Sequence, residues 1–425
     1  MKSKARYLMI TLIGYVFTVY LSLKLFKCKS FSENRYRIVP TTTIESIQKS
    51  FLNKSRYVTS VSCAKIFNND QAEIQKAKSM GNTVMNALST DMLFNLSHDC
   101  SKYLQERQYL TFNPLEEEVD FPIAFSIMIH KDVNQFERLL RSIYRPHNFY
   151  CIHADVKMSE IERKTTASLT RCFNNVFMSS TSYNVTYATI SSVKADIICM
   201  KDLLAKKWKY FINLAGQEFP LQSILDIVKI LKAYNGANDV KVSSRDFSKR
   251  WKSAGTPPDD LIPYKGRVHI IVNRAYVEYV ATNEITNRLM EWLKSVDHPG
   301  EIFFPTINYN SKIGLPGSLK GENLSKTNNE FPINMARYKL WTFSKPGRCD
   351  GKFVRDICIF GTGDLPTLVK RSELFVNKVY WDYHPFVLDC LEEYIHNITV
   401  DSYLGTRQLN TSFYSHLYFV THAIR

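Results

Sequence analysis

Glu301, Arg355 and Lys378 stand inside well-defined stretches of this sequence. Glu301 lies in Asp297-His298-Pro299-Gly300-Glu301-Ile302-Phe303-Phe304-Pro305-Thr306. Arg355 lies in Val354-Arg355-Asp356-Ile357-Cys358-Ile359-Phe360-Gly361-Thr362-Gly363-Asp364-Leu365, and Lys378 ends Leu374-Phe375-Val376-Asn377-Lys378. A single acid with two cations is the set that an inverting sugar transfer from a nucleotide donor needs. The acid takes the proton of the acceptor hydroxyl. The cations carry the charge that grows on the departing diphosphate. Each residue also has a plainer reading. Glu301 follows Pro299-Gly300 and suits a helix start, where acids are favoured. Arg355 could pair with Asp356, and Lys378 could sit on a solvated loop.

Such residues need elements to hold them. Pro122–Ile129 is a continuous apolar run, fit for a buried parallel strand. Val133, Phe136, Leu139, Leu140 and Ile143 then recur on one helical face. Phe149–Ala154 reads as a strand ending at Asp155, Ile161–Phe173 as a helix, and Val176–Met178 as a short strand. Helix Ser192–Lys206, strand Tyr210–Leu214 and helix Ile224–Leu231 follow. This alternation predicts a mostly parallel, helix-covered α/β sheet, with ligands at the carboxyl ends of its strands. Asp155 sits at such an end. Residues 235–265 read as loop-rich, 266–273 as a strand, 274–295 as one helix, and 305–335 as a long irregular loop. Asp70-Gln71-Ala72-Glu73 has the form of a capping box.

The chain has 425 residues, enough for one large domain behind a tail. Tyr7–Leu23 is uncharged and mostly apolar, near the lower length limit for a membrane span. The reading adopted is a cytoplasmic tail at 1–6, a signal anchor at 7–25, a polar stem at 26–60 and a lumenal domain at 61–425. A cleaved signal peptide is the rival, but no small-x-small site lies near Phe26–Ser30. N-glycosylation sequons begin at Asn53, Asn95, Asn184, Asn323, Asn397 and Asn410. Of the nine cysteines, Cys28 lies against the span and the other eight form an even set, as disulfides require. No C-x-x-C pair argues for structural zinc. These features point to an oxidising lumen. The net charge of +15 comes with no dense Lys/Arg run and no nucleic-acid-binding motif. A basic face in that compartment suits nucleotide sugars or acidic glycans.

The chain resembles the core 2/I-branching β-1,6-N-acetylglucosaminyltransferases from about residue 60 to about 395. The resemblance is carried by Asn148-Phe149-Tyr150-Cys151-Ile152-His153, Val193-Lys194-Ala195-Asp196, Cys199-Met200-Lys201-Asp202-Leu203 and Trp208-Lys209-Tyr210-Phe211-Ile212-Asn213-Leu214. Leu289-Met290-Glu291-Trp292 and Gly361-Thr362-Gly363-Asp364-Leu365 add to it. It implies a GT-A-like fold that works without a metal, and the chain has no Asp-x-Asp triplet to hold one. It implies that Glu301 is the general base and that Arg355 and Lys378 hold the diphosphate in place of a cation. Asp155 and Tyr187 match positions holding uridine, and Met128 a wall of that site. Trp341 and Arg250 fall on the acceptor side. The implied disulfides are Cys63–Cys390, Cys100–Cys172, Cys151–Cys199 and Cys349–Cys358. The family's unpaired cysteine falls at Ala215.

The departures from the family fall on both sides of the expected site. Core 2 enzymes read acid-Thr-acid for the acceptor hydroxyls, where this chain reads Lys241-Val242-Ser243. Lys can only donate where an acid accepts. Lys265-Gly266-Arg267-Val268-His269 replaces Ser-Gly-Ser-Ala-Tyr, which puts two extra cations and an imidazole near the expected donor pocket, and the acceptor-side Trp-x-Tyr becomes Trp341-Thr342-Phe343. The expected protein is a Golgi type II membrane enzyme. It would move N-acetylglucosamine from UDP-GlcNAc in β-1,6 linkage to a galactose or GalNAc of a glycoprotein glycan. No cofactor or nucleic acid is expected, and a dimer through Cys28 is open. The alternatives are a weak or silent member that binds glycans or a partner transferase, and an enzyme using another UDP-sugar such as UDP-xylose.

Overall fold

A six-stranded sheet positions the residues singled out above. The structure is a computed structural model and describes residues 58–81, 88–111, 115–243, 245, 247–320, 334–344 and 348–425. The expected tail, span and nearly all of the stem, with Cys28, Asn53 and Asn323, lie outside the described residues. No helix among the described residues is long and apolar enough to cross a membrane.

The sheet contains β1 (Ile123–Ile129), β2 (Phe149–Ala154), β3 (Val176–Met178), β4 (Tyr210–Ala215), β6 (Asp239–Val242) and β7 (Gly266–Asn273), ordered β3-β2-β1-β4-β7-β6. The first four are parallel, and β7 and β6 run antiparallel at the far side. Every residue of β1 except Met128 is buried, because helices cover both faces. Val133, Phe136, Leu139, Leu140 and Ile143 of the helix Val133–Ile143 fill the core as their spacing predicts. The chain leaves β1 toward β2 and β3 and returns on its other side as β4. A crevice therefore opens at the carboxyl ends of β1 and β4, the usual ligand position in such sheets.

Two small sheets complete the frame. β5 (Glu218–Pro220) pairs antiparallel with β10 (Phe375–Asn377), and β8 (Lys352–Val354) with β9 (Ile357–Ile359). The structure bonds Cys63 to Cys390, Cys100 to Cys172, Cys151 to Cys199 and Cys349 to Cys358. The first closes a span of 327 residues, where restriction of the unfolded chain is large. The third pins β2 to the helix Ser191–Leu203.

Several boundaries differ from expectation. Residues 274–295 form two helices, Arg274–Thr282 and Glu284–Trp292, broken where Asn283 turns extended (ψ 135°) and caps the second. The expected loop at 305–335 begins later, because the helix Gly300–Tyr309 continues through Pro305. Proline lacks only the N–H that would have reached the Glu301 carbonyl, one turn back near the helix start. Residues 239–242, placed in a loop-rich middle, are β6. Asp70 caps its helix by accepting from the Glu73 N–H at 3.1 Å, but Glu73 accepts from the Ser62 N–H instead of closing a capping box. Asn95, Asn184 and Asn410 are exposed, whereas Asn397 is half-buried in the helix Pro385–Leu404 beside buried Thr399.

Candidate active site

Glu301, Arg355, Lys378, Tyr187, Met128 and Trp341 all line one cleft of about 320 Å³ at the carboxyl ends of the parallel strands. They come from separate parts of the chain. Met128 is the penultimate residue of β1, Tyr187 lies between β3 and the helix Ser191–Leu203, and Glu301 lies in the first turn of the helix Gly300–Tyr309. Arg355 lies in the β8–β9 turn, and Lys378 follows β10 directly. Their convergence is a property of the fold and not of sequence proximity.

Arg355 and Asp356 both have positive φ, 50° and 61°. A two-residue hairpin of this kind normally takes Asn-Gly. Here the adjoining strands and the Cys349–Cys358 bond that spans them hold Arg355 in place. Asp356 does not pair with it: its carboxylate accepts from the Thr342 hydroxyl at 3.2 Å. The Arg355 guanidinium lies instead over the Tyr187 ring, 4.4 Å from its centre. Tyr187 is 63% exposed, so this stack sits at the cleft mouth. Two more wall residues, Ala188 and His298, also have positive φ, 60° and 54°. Left-handed non-glycine backbone of this kind gathers at binding sites held by their surroundings.

Asp155 is not on the cleft wall. It is buried, and its oxygens accept from the N–H of Lys157 at 2.8 Å and of Val185 at 3.0 Å. Next to it, His153 Nε2 accepts from the Tyr183 N–H at 2.9 Å. The pair fastens the segment that carries Val185, Thr186 and Tyr187 along the wall. Asp155 thus acts in this structure as the anchor of that segment.

Glu301 is a quarter exposed, and Arg250 Nη1 stands 2.5 Å from its carboxylate, with Lys265 Nζ at 3.7 Å. Both cations also lie over the Phe247 ring. Phe303 is turned into the core, while Phe304 contributes to the wall. The carboxylate is therefore held and oriented by the cations beside it.

The cleft also contains residues that sequence reasoning did not assign. Asp196 lies on its wall, bonded by Ser126 Oγ and Asn213 Nδ2, and burial pushes its carboxyl up to about 7. Lys339 lies on the same wall, with its ammonium 5.7 Å from the centre of the Trp341 ring. Burial drives it down to about 7; Glu218 opposes that shift, and Arg267, Lys378 and Arg337 add to it. Burial and the Arg355 charge lower Lys378 as well. Spacing gave one clue to Lys339, which lies two residues before Trp341. Nothing local marked His298 beyond its place in the Glu301 stretch.

A chain so arranged can hold a doubly charged leaving group between Arg355 and Lys378 and present a carboxylate to a hydroxyl. The description of the family that matches residues 123–369 is "Core-2/I-Branching enzyme". A human β-1,3-galactosyl-O-glycosyl-glycoprotein β-1,6-N-acetylglucosaminyltransferase is 35% identical over 373 residues, 80% of this chain and 86% of its own. The bovine protein of the same name is 35% identical over 374 residues, 81% and 87% of the two chains. One from bovine herpesvirus 4 (strain DN-599) is 33% identical over 352 residues, 77% and 78%.

Proposed function

This chain belongs to the core 2/I-branching enzyme family, and from that premise we propose that it moves N-acetylglucosamine from UDP-GlcNAc to O6 of a galactose or N-acetylgalactosamine in a glycan. It is a β-1,6-N-acetylglucosaminyltransferase with a GT-A-type sheet, and the reaction inverts the anomeric centre. Glu301 accepts the proton of the acceptor O6 hydroxyl. The oxygen forms its bond to the anomeric carbon as the bond from that carbon to the phosphate oxygen breaks. UDP leaves with the electron pair, and Arg355 and Lys378 hold the charge that a divalent cation carries in other transferases. Tyr187 supports Arg355, and the segment anchored by Asp155 borders the nucleoside. Arg250 and Trp341 border the acceptor. Residues 7–25 anchor the enzyme in the Golgi membrane as a single-pass type II protein with its domain in the lumen.

The observation that carries this reading is the meeting of Glu301, Arg355 and Lys378 in one cleft. The test is Glu301→Gln in the full-length protein purified in detergent. The variant is expected to bind UDP as wild type does and to lose about 10³-fold in kcat. Full turnover in Glu301→Gln sinks the assignment of the base.

A further inference from the structure

We propose that the acceptor end of the cleft contains a subsite for a sugar-borne anion, a carboxylate or a sulfate ester, formed by Lys241, Arg267 and Lys339. This rests on the transferase reading above and narrows its acceptor class.

Strand register brings the first two together. Asp239 of β6 faces Ile271 of β7, and Val242 faces Gly266. The register shifts between Val240 and Val242, so Lys241 alone opposes Arg267, Val268 and His269; Asp239 lies beside this bulge on one face of the sheet. The close approach at Gly266 leaves no room for a side chain, since a Cβ there would stand 1.7 Å from the Lys241 carbonyl oxygen. That face is covered by the segment holding Arg337 and Lys339, because Asp239 accepts from the Asn334 side chain at 2.9 Å and the Met335 N–H at 3.0 Å.

The carboxylates nearby are already engaged. Glu218 is buried and accepts from Arg337 Nε at 2.8 Å and Asn377 Nδ2 at 2.7 Å. Glu373 is gripped by Arg371, and Glu301 by Arg250. Among the described residues, no carboxylate lies within ion-pair distance of Arg267 or Lys339. Neither residue is fully buried, and Lys339 lies on the cleft wall beside Trp341. Burial lowers all three; the Arg267 charge lowers Lys241 and Lys339 further, while Glu301, Asp239 and Glu373 favour the charged form of Arg267. A diphosphate is matched in charge by Arg355 and Lys378. Arg267 and Lys339 are two further half-buried cations beyond what the donor needs, and a second anion would relieve the repulsion that Arg267 exerts on Lys339.

The test compares three acceptors with the full-length enzyme and UDP-GlcNAc: a neutral β-1,3-galactosyl-N-acetylgalactosamine, its sulfated form and its sialylated form. One anionic form is expected to exceed the neutral one in kcat/KM by about 10-fold, since hydrogen bonds to charged groups discriminate at that level. The advantage should shrink with added salt and approach unity in Arg267→Gln and in Lys339→Met, with the affinity for UDP unchanged. Preference for the sulfated form alone assigns a sulfate ester, and for the sialylated form alone a carboxylate. Turnover of the neutral acceptor as good as both anionic ones overturns the inference and leaves the transferase reading standing. Calorimetry of the same glycans with UDP present keeps the two ideas apart. Tighter binding of an anionic glycan without turnover supports the subsite and removes the proposed reaction. Equal binding of all three removes the subsite.

Discussion

The two ends of the cleft are built on different principles. At the nucleotide end, side chains sit on short segments with left-handed backbone, each fastened by a local device. The Cys349–Cys358 bond spans the Arg355 turn, and Asp155 and His153 anchor the Tyr187 segment. The proposed acceptor end joins Lys339 of the cleft wall to Lys241 and Arg267, which stand on neighbouring sheet strands. The first end fixes a few charges that any UDP-sugar requires. The second concentrates charge beyond that requirement, so specificity should reside there. On the proposed reading, loops on a rigid sheet carry the shared chemistry, and substitutions on the sheet face retune the acceptor.

That contrast breaks most severely if the nucleotide end is stripped of charge. The double variant Arg355→Ala/Lys378→Ala should lose about 10³-fold or more in kcat/KM for UDP-GlcNAc, because transition-state charge is left unmatched. Steady-state kinetics with a UDP affinity measurement would show it, and a loss under 10-fold would move the diphosphate elsewhere. Asp155→Ala should act on binding, raising the donor KM by about 10-fold with kcat little changed, since it frees the 185–187 segment. A fall in kcat alone would mean that Asp155 does something other than anchor.

The acceptor end should respond to pH. Lys339 is pushed down to about 7, so its charge is present below that pH and lost as pH rises through it. Glu218 favours the charged form, while Arg267, Lys378 and Arg337 disfavour it, and His269, driven well below its ordinary range by burial, stays neutral there. The ratio of kcat/KM for anionic over neutral acceptor should therefore be several-fold higher at pH 6 than at pH 8. Using a ratio cancels titrations common to both substrates. Lys339→Arg should carry the preference above pH 8, and an unchanged profile in that variant would exclude Lys339 as its source. The smallest effect belongs to Tyr187. Tyr187→Ala should weaken UDP binding by about 3-fold and Tyr187→Phe should not, as an exposed cation–π contact is modest.

Much of the sheet was legible because its strands are buried on both faces. β2, β3 and β7 carry the apolar runs that marked their limits, and the helix faces followed from period. β6 was hidden because Lys241 breaks its apolar run. β5 and β10 were missed because each has three residues and pairs with a partner about 160 positions away, so only the tertiary fold defines them. The helix holding Glu301 runs on through Pro305 into the stretch expected as loop, at the cost of one backbone hydrogen bond. In the cleft, Glu301, Arg355 and Lys378 could be named because they lie in distinctive stretches. Lys339 and Asp196 could not be assigned roles, since their meaning depends on charge and burial contributed by distant strands.

The most direct measurement is product analysis with the full-length wild-type enzyme, UDP-GlcNAc and the neutral and anionic acceptors in excess EDTA. Two-dimensional NMR of the product should show a β-linked N-acetylglucosamine on O6, formed at the rate seen without the chelator. Loss of activity restored by a divalent cation, or a new sugar in α linkage, would contradict a metal-free inverting transfer by Glu301, Arg355 and Lys378.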